Sequence, residues 1–326
     1  MKRILLILLI VAVSLSFIAC GKAEVTNKEV KKVTIGYFPN ISHAPAMVGV
    51  EQGIFKESLK GIEIETMNFP NGSLFMDALS TNQIDVGYVG PGPVLNRFLQ
   101  GGEVVLLSNA SRGENVLVVR EDLEFNDVKD LEGKVVATPS TGCTHDLIFR
   151  KMLEENGMAV EENGGTVKRI AQKPATMIGL FQQKQIDAAL VSEPWASLME
   201  AEGVVKVVRD AKEVPWEGQM PAAVLVASKD FLESNPEIIE KVISAHEQSI
   251  EYINNNKDEV LDIISKQIKT ITNQEIEKEI IISSLNRVEY SSEVNKKIIQ
   301  EFADLSKSLE FIDGDASLDK LFWDKL

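Results

Sequence analysis

The sequence predicts an α/β protein of two similar lobes, each a mostly parallel sheet flanked by helices. Short β-branched runs alternate with amphipathic stretches through the middle of the chain, the pattern of sheets joined by helical crossovers. The alternation pauses at Gly113 and begins again with Asn115–Val119. One helix-end, turn and strand unit also occurs twice. Asn82-Gln83-Ile84-Asp85-Val86 leads to Gly90-Pro91, and Lys184-Gln185-Ile186-Asp187-Ala188 leads to Glu193-Pro194. Two lobes that each present a strand end and a helix start give that repetition.

Taken in order, Val33–Phe38 reads as the first strand and Ser42–Glu57 as a helix, with Pro45 suited to a first turn. Ile62–Met67 is a strand, Ser73–Leu79 a helix capped by Ser73, Ile84–Val89 the third strand and Val104–Ser108 the fourth. The second lobe offers strands at Lys134–Thr138, Val167–Ile170, Ile186–Val191 and Val204–Val208, with helices at Thr144–Glu155 and Thr176–Gln183. Ala222–Ala227 is a further strand. From Asp230 onward the spacing of Ile239, Val242, Ile243, His246, Ile250 and Ile253 is helical, and His246 on that apolar stripe reads as a core histidine. The expected division is 32–113 for the first lobe, 114–220 for the second, and 221–326 for a strand returning to the first lobe with a helical extension on it.

The chain has 326 residues and a formal charge of −15. An acidic chain without a basic patch does not suit nucleic acid. Its hydrophobic content of 44% is that of a globular core. The start is different. Lys2-Arg3 precedes an apolar run from Ile4 to Phe17, which ends at Ala19-Cys20-Gly21. That run has the length of a signal-peptide core and is short for a bilayer span. Residues 1–19 read as a signal peptide and 20–31 as a polar tether. Ser16-Phe17-Ile18-Ala19-Cys20 resembles the lipobox of bacterial lipoproteins, with Phe17 where Leu is usual; the resemblance implies lipidation at Cys20 and a place at the outer face of the cytoplasmic membrane or in the periplasm. An ordinary cleaved signal or an uncleaved anchor is the alternative. Cys143 is the remaining cysteine, so a lipidated Cys20 leaves no intramolecular disulfide.

Ligands of open α/β sheets sit beyond the carboxyl ends of the strands, beside helix N-termini. Nearly every loop that follows a strand is small, hydroxylic or glycine-containing, which suits a compact anion approached by backbone N–H groups; the candidate residues come from these loops. They are Asn40, His43 and Ala44; Gly72 and Ser73; Gly90, Pro91 and Gly92; Asn109 and Arg112; Thr141, Gly142, Cys143, Thr144 and His145; and Glu193 and Trp195. One helix end contributes only about 0.3–2 kcal/mol, whereas micromolar binding requires about 8 kcal/mol. Several ends must therefore converge, which two facing lobes allow.

Val33-Thr34-Ile35-Gly36-Tyr37-Phe38-Pro39-Asn40-Ile41-Ser42-His43-Ala44-Pro45, the Gly90-Pro91-Gly92-Pro93 turn, Leu131-Glu132-Gly133-Lys134-Val135-Val136-Ala137-Thr138-Pro139 and Asp187-Ala188-Ala189-Leu190-Val191-Ser192-Glu193-Pro194-Trp195 occur in one order. In that series the chain resembles the solute-binding proteins of ABC importers for aliphatic sulfonates, taurine and nitrate. The resemblance implies a type II periplasmic-binding fold with two hinge crossings near 113–115 and 220–222. It also implies a ligand held between the lobes, no cofactor, a monomer, and delivery to a membrane permease with its ATPase. An aliphatic sulfonate is the first expectation for the ligand; nitrate, a thiamine-precursor pyrimidine and an aromatic carboxylate are the rivals.

For single residues two readings stand side by side. His43 either bonds the ligand or caps local backbone. Cys143 and His145 line the cleft, or form a nucleophile pair or soft metal site; catalysis would also need an orienting group and an oxyanion site, and a metal three or four ligands. Trp195 packs on the ligand or in a core. Glu193 bonds a ligand amine or stabilises a helix start. Arg112 grips an acidic group bidentately or is a solvated loop residue. An enzyme of the pyrimidine-synthase type would carry a cysteine-rich iron motif, and a sensor's ligand-binding lobes would require a membrane segment and a signalling domain beyond Leu326.

Overall fold

The computed structural model describes residues 30–312 and 315–325. The leader, Cys20 and most of the tether lie outside the described residues. Two sheets organise the rest. The first contains β1 (Lys32–Tyr37), β2 (Glu63–Asn68), β3 (Val86–Val89), β4 (Val104–Gly113), β10 (Pro221–Ser228) and β11 (Val288–Tyr290), in the spatial order β11-β4-β10-β3-β1-β2. The second contains β5 (Val116–Arg120), β6 (Val135–Thr138), β7 (Lys168–Ala171), β8 (Ala188–Val191) and β9 (Val205–Arg209), in the order β7-β6-β8-β5-β9. The chain leaves the first sheet after Gly113 and rejoins it at Pro221.

The strands on one side of each sheet are parallel: β1 pairs with β2 and β3, and β6 with β7 and β8. The strands on the other side are partly reversed. β10 runs antiparallel to β3 and β4, and β5 antiparallel to β8 and β9, so both sheets are mixed. The reversal comes with the crossings, because a strand entering a sheet from the other lobe arrives at the edge where the parallel strands end. β8, β5 and most of β6 are buried, as unbroken Val, Ala and Leu runs require.

Helices cover the sheets: α1 (Ala44–Glu51), α2 (Ile54–Ser58), α3 (Gly72–Ser80) and α4 (Pro91–Leu99) in the first lobe, and α5 (Thr144–Glu155), α6 (Pro174–Gln182) and α7 (Trp195–Ala201) in the second. The helix expected over 42–57 is divided. A single 3-10 turn, Ile41–His43, precedes α1, and the chain breaks again at Gln52-Gly53. Asn71, rather than Ser73, caps α3: its side chain accepts from the Leu74 N–H at 3.0 Å. β4 extends past Ser108 to Gly113 with irregular pairing to β10, which places Asn109, Ser111 and Arg112 inside a strand.

The C-terminal helices are α8 (Lys229–Ser234), α9 (Pro236–Asn255), α10 (Lys257–Thr272), α11 (Lys278–Leu285) and α12 (Lys296–Ser308). α9 packs on α1 and α2, as an extension of the first lobe would. α11 reaches α7 of the second lobe, and α12 touches α4 and α5, so the extension spans both lobes.

Candidate functional site

The two sheets meet at a buried polar cluster. It begins in the 3-10 turn after β1, whose carbonyls are held from outside: Ser111 Oγ donates to the Ser42 carbonyl at 2.9 Å, and Tyr290 Oη to that of Ile41 at 2.8 Å. Fixed in this way, the turn presents Ser42 and His43, 1% and 3% exposed. From β4 comes Asn109. Its Nδ2 donates to the Ser291 carbonyl at 2.6 Å, and its own carbonyl receives His246 Nε2 at 2.7 Å.

From the crossing come Glu114 and Asn115, 2% and 1% exposed. Gly113 and Glu114 both have left-handed backbone, φ 90° and 58°. A Cβ on Gly113 would collide with the Arg287 carbonyl, so glycine is required there. Glu114 donates its N–H to that same carbonyl at 2.9 Å, and Asn115 Nδ2 donates to the Gly113 carbonyl at 2.8 Å. The crossing is thereby tied to the C-terminal segment.

His43 Nδ1, Asn109 Oδ1, Glu114 Oε2 and Asn115 Oδ1 are buried without a hydrogen-bond partner, and Ser42 Oγ, also buried, has none but the Glu114 carboxyl it faces. Each such atom costs about 1–3 kcal/mol. They mark positions in the turn after β1, on β4 and at the crossing where a ligand or ordered water completes the bonding. Burial pushes the Glu114 carboxyl up to about 8, against the pull of Ser42 and with a further push from the Glu193 charge. Burial also lowers His43 to about 3 and His145 to about 4, so both imidazoles are neutral at pH 7.

Glu193 does other work. It is fully buried, and both its oxygens are used. It accepts from Ser197 N–H (3.0 Å), Ser197 Oγ (3.1 Å), Ser284 Oγ (3.1 Å) and Arg287 Nη1 (2.8 Å). It therefore secures the start of α7 and anchors the segment after α11 to the second lobe, which leaves no lone pair aimed at a ligand amine. Trp195 packs in the second lobe's core with Val116, Val118, Met177 and Phe181, the core alternative. Arg112 pairs with Glu289 across β4 and β11, although its Nε is unpartnered. His246 bridges Tyr88 and Asn109 inside the first lobe, as a satisfied core histidine.

The loop before α5 meets the first lobe directly. Gly92 N–H donates to Thr144 Oγ1 at 3.1 Å, and Asn96 Nδ2 to the Gly142 carbonyl at 3.0 Å. A Cβ on Gly92 would lie 2.7 Å from the Thr144 nitrogen, so only glycine lets the α4 and α5 starts approach this closely. The loop's own N–H groups are partly spent: Gly142 donates to Asp146 Oδ2 at 2.9 Å and Cys143 to the Ser140 carbonyl at 3.3 Å. Thr141 is exposed, and its hydroxyl accepts from Arg169. A cavity of about 260 Å³ opens beside this contact, lined by Ser73, Pro93, Asn96, Arg97, Ser140, Thr141, Gly142 and Cys143.

Burial and the Asp146 charge raise the Cys143 thiol, and His145 Nε2 is buried without a partner. A raised thiol is a poor nucleophile. No grouping of three or more His, Cys, Asp or Glu suits a metal among the described residues. Gly72 packs on Pro93, Ala44 is buried in α1, and Asn40 is half-buried before the turn without capping it through its side chain.

The predicted residues thus form two groups: His43 and Asn109 at the joint, and Ser73, Thr141, Gly142 and Cys143 around the cavity. Gly90, Gly92 and Thr144 meet at the contact between the lobes. Sequence reasoning missed Ser42, Glu114 and Asn115. Their signal was a Gly-Glu-Asn crossing between two lobes.

Comparisons with known proteins agree with this architecture. The taurine-binding periplasmic protein of Escherichia coli (strain K12) is 30% identical over 229 residues, covering 69% of this chain and 66% of that protein. A binding protein of Brucella abortus (strain 2308) is 25% identical, covering 73% and 72%. The alkanesulfonate-binding protein SsuA of Xanthomonas axonopodis pv. citri, solved bound to MOPS, superposes with a TM-score of 0.76 at 17% identity, covering 90% of this chain and 98% of that one. The nitrate-binding protein NrtA of Synechocystis PCC 6803 gives 0.77 at 18%, covering 91% and 87%. The fold is that of the two-lobed periplasmic binding proteins, with two mixed sheets flanked by helices. Residues 26–267 match the NMT1-like family, and the chain belongs to it.

Proposed function

We propose that this protein is the extracytoplasmic solute receptor of an ABC importer, holding a small organic anion of the aliphatic sulfonate type between its lobes. The observation that carries the reading is the cluster of unpartnered polar atoms at the joint of the two sheets. Ser42 Oγ and a hydrogen on His43 Nδ1 are donors for a sulfonate oxygen, beside the start of α1. The relatives named for taurine, alkanesulfonate and nitrate support this ligand class. Each is named as a binding protein, and the raised acid and neutral imidazole serve recognition without a nucleophile. The two crossings act as a hinge, the lobes close on the ligand, and the closed form is offered to a permease with its ATPase. Lipid on Cys20 keeps the receptor, as a monomer, at the membrane.

Isothermal titration with short alkanesulfonates, nitrate and benzoate tests the ligand class, and scattering tests closure. A sulfonate is expected to bind at micromolar concentration or tighter and to reduce the radius of gyration. Saturation without compaction, or binding of benzoate alone, overturns the reading. Cys20→Ala is expected to free the protein from membranes; unchanged lipid labelling in that variant overturns the anchor.

A further inference from the structure

We propose that Glu114 is a positioning residue for the anion: its protonated carboxyl donates to Ser42 Oγ and so turns the single hydroxyl hydrogen of Ser42 toward the bound ligand. Anion and proton are then held together. The proposal rests on the receptor reading above and concerns the hydroxyl donor which that reading assigns to the sulfonate.

The argument is one of valences. Ser42, in the turn after β1, and Glu114, at the crossing, are 1% and 2% exposed and face each other. Both are held by their backbones. The Ser42 carbonyl accepts from Ser111 Oγ at 2.9 Å, and the Glu114 N–H donates to the Arg287 carbonyl at 2.9 Å. Ser42 Oγ has nothing else to bond, and Glu114 Oε2 has no partner. A hydroxyl has one hydrogen and two lone pairs. An ionised carboxylate only accepts, so it takes that hydrogen and leaves Ser42 to meet an anion with lone pairs alone. A protonated carboxyl has an O–H to give. It occupies one lone pair of Ser42 Oγ and frees the hydrogen for the anion. The Ser42 N–H, which also acts on the carboxyl, only donates and is served by either form.

Charge points the same way. The groups that act on Glu114 are Ser42 in the turn, Tyr290 on β11 and the Glu193 charge at the start of α7; none is a cation. Tyr290 Oη is spent on the Ile41 carbonyl. Arg287 gives the crossing its backbone carbonyl, while its guanidinium is held by Glu193, Glu200 and Asp210. Arg112 on β4 is paired with Glu289, and His43 beside Ser42 is neutral. Burial first, and the Glu193 charge after it, holds the Glu114 carboxyl up at about 8, so the empty receptor already carries the proton at pH 7. A bound anion beside Ser42 raises it further, because ionisation would then place two negative charges together.

The probe is ethanesulfonate, whose own charge is constant over the range, titrated into the full-length protein from pH 6 to pH 9. Wild type is expected to bind about tenfold more weakly at pH 9 than at pH 6, the loss imposed by one proton with a midpoint near 8. Binding at pH 8 should take up about half a proton per ligand, and at pH 6 none, read from the heats in buffers of different ionisation enthalpy. That count requires no variant. In Glu114→Gln the side-chain N–H stands in for the acid's O–H, so affinity should stay at the wild-type pH 6 value throughout, with no proton uptake. Ser42→Ala should weaken binding at pH 6 by about tenfold or more, the loss of one hydrogen bond to a charged group. A flat wild-type profile, no uptake at pH 8, an unchanged slope in Glu114→Gln, or full affinity in Ser42→Ala overturns the proposal and leaves the receptor reading standing. Failure of wild type to bind ethanesulfonate at any pH overturns both.

Discussion

The two lobes solve one problem with the same device and then use it differently. In the first, Asp85 seats β3 beside β1 by accepting the Thr34 N–H at 2.8 Å. In the second, Asp187 seats β8 beside β6 by accepting the Val135 N–H at 2.9 Å. The turn before each aspartate is left-handed at Asn82 and Lys184, both φ 55°. After the strand the lobes diverge. The first has Gly90 before Pro91, which lets Thr144 come close. The second has Glu193 before Pro194, which caps its own helix and holds the C-terminal segment through Arg287. One position keeps a surface open to the other lobe, and its counterpart closes an internal joint.

That contrast can be broken most severely at the closed joint. Arg287→Ala leaves Glu193 buried without its cation and is expected to cost about 3–5 kcal/mol of stability. Gly90→Ala meets only the Thr144 hydroxyl, 2.8 Å from the added carbon, and should cost about 1 kcal/mol or less. Urea unfolding of both variants checks this; equal losses would show that the two turns do the same work.

The aspartates come next. Asp187 also holds Arg120 Nη1 at 2.9 Å, whereas burial raises the pKa of Asp85, with only the Thr34 N–H and the more distant Lys32 opposing. Asp187→Ala is expected to lose about 2–3 kcal/mol and Asp85→Ala about 1–2 kcal/mol, by the same measurement.

Acid should separate the lobes too. His43 and His246 lie in the first lobe, His145 in the second. Burial lowers them to about 3, 4 and 4. The unfolded chain therefore binds more protons below pH 6.5, and stability present above that value is lost as pH falls toward 4. Glu114, raised to about 8, keeps a proton in the folded state over the same range and opposes this loss, so the comparison is made in Glu114→Gln. In that variant hydrogen exchange at pH 5 is expected to show a larger loss of protection in β3 and α9 than in β6 and β8, and equal loss there would mean that the first lobe's two histidines add nothing.

The smallest effect lies in the turns. Lysine tolerates left-handed backbone less well than asparagine, so Lys184→Gly should gain about 1 kcal/mol, less what its exposed bridge to Asp122 supplies, and Asn82→Gly only a few tenths. Thermal unfolding resolves the order.

Much of the fold was readable because its cues are local. The Gln-Ile-Asp repeat, Pro91 at a helix start and the span of α5 are set by neighbouring residues. What was not readable depends on distance along the chain. Glu193 reads as a ligand acceptor or a helix-start carboxylate until Arg287 is folded against it, and Trp195 as a ligand platform or a core residue until the second lobe's core closes round it. Arg112 looks like a loop cation until β4 continues through it and β11 brings Glu289. Glu114 is the opposite case: a charged residue beside glycine reads as a solvated turn, and only the crossing of the chain between sheets buries it.

The place of β10 in the first sheet has a consequence for how the chain is made. β10 lies between β3 and β4, and neither strand pairs with the other without it. A nascent chain that has not reached Pro221 holds the first lobe as two separate pieces with exposed strand edges. The second sheet, by contrast, is complete within residues 116–209. The lobe that begins first in the gene therefore finishes last, and every chain spends its early life with half of itself unable to close.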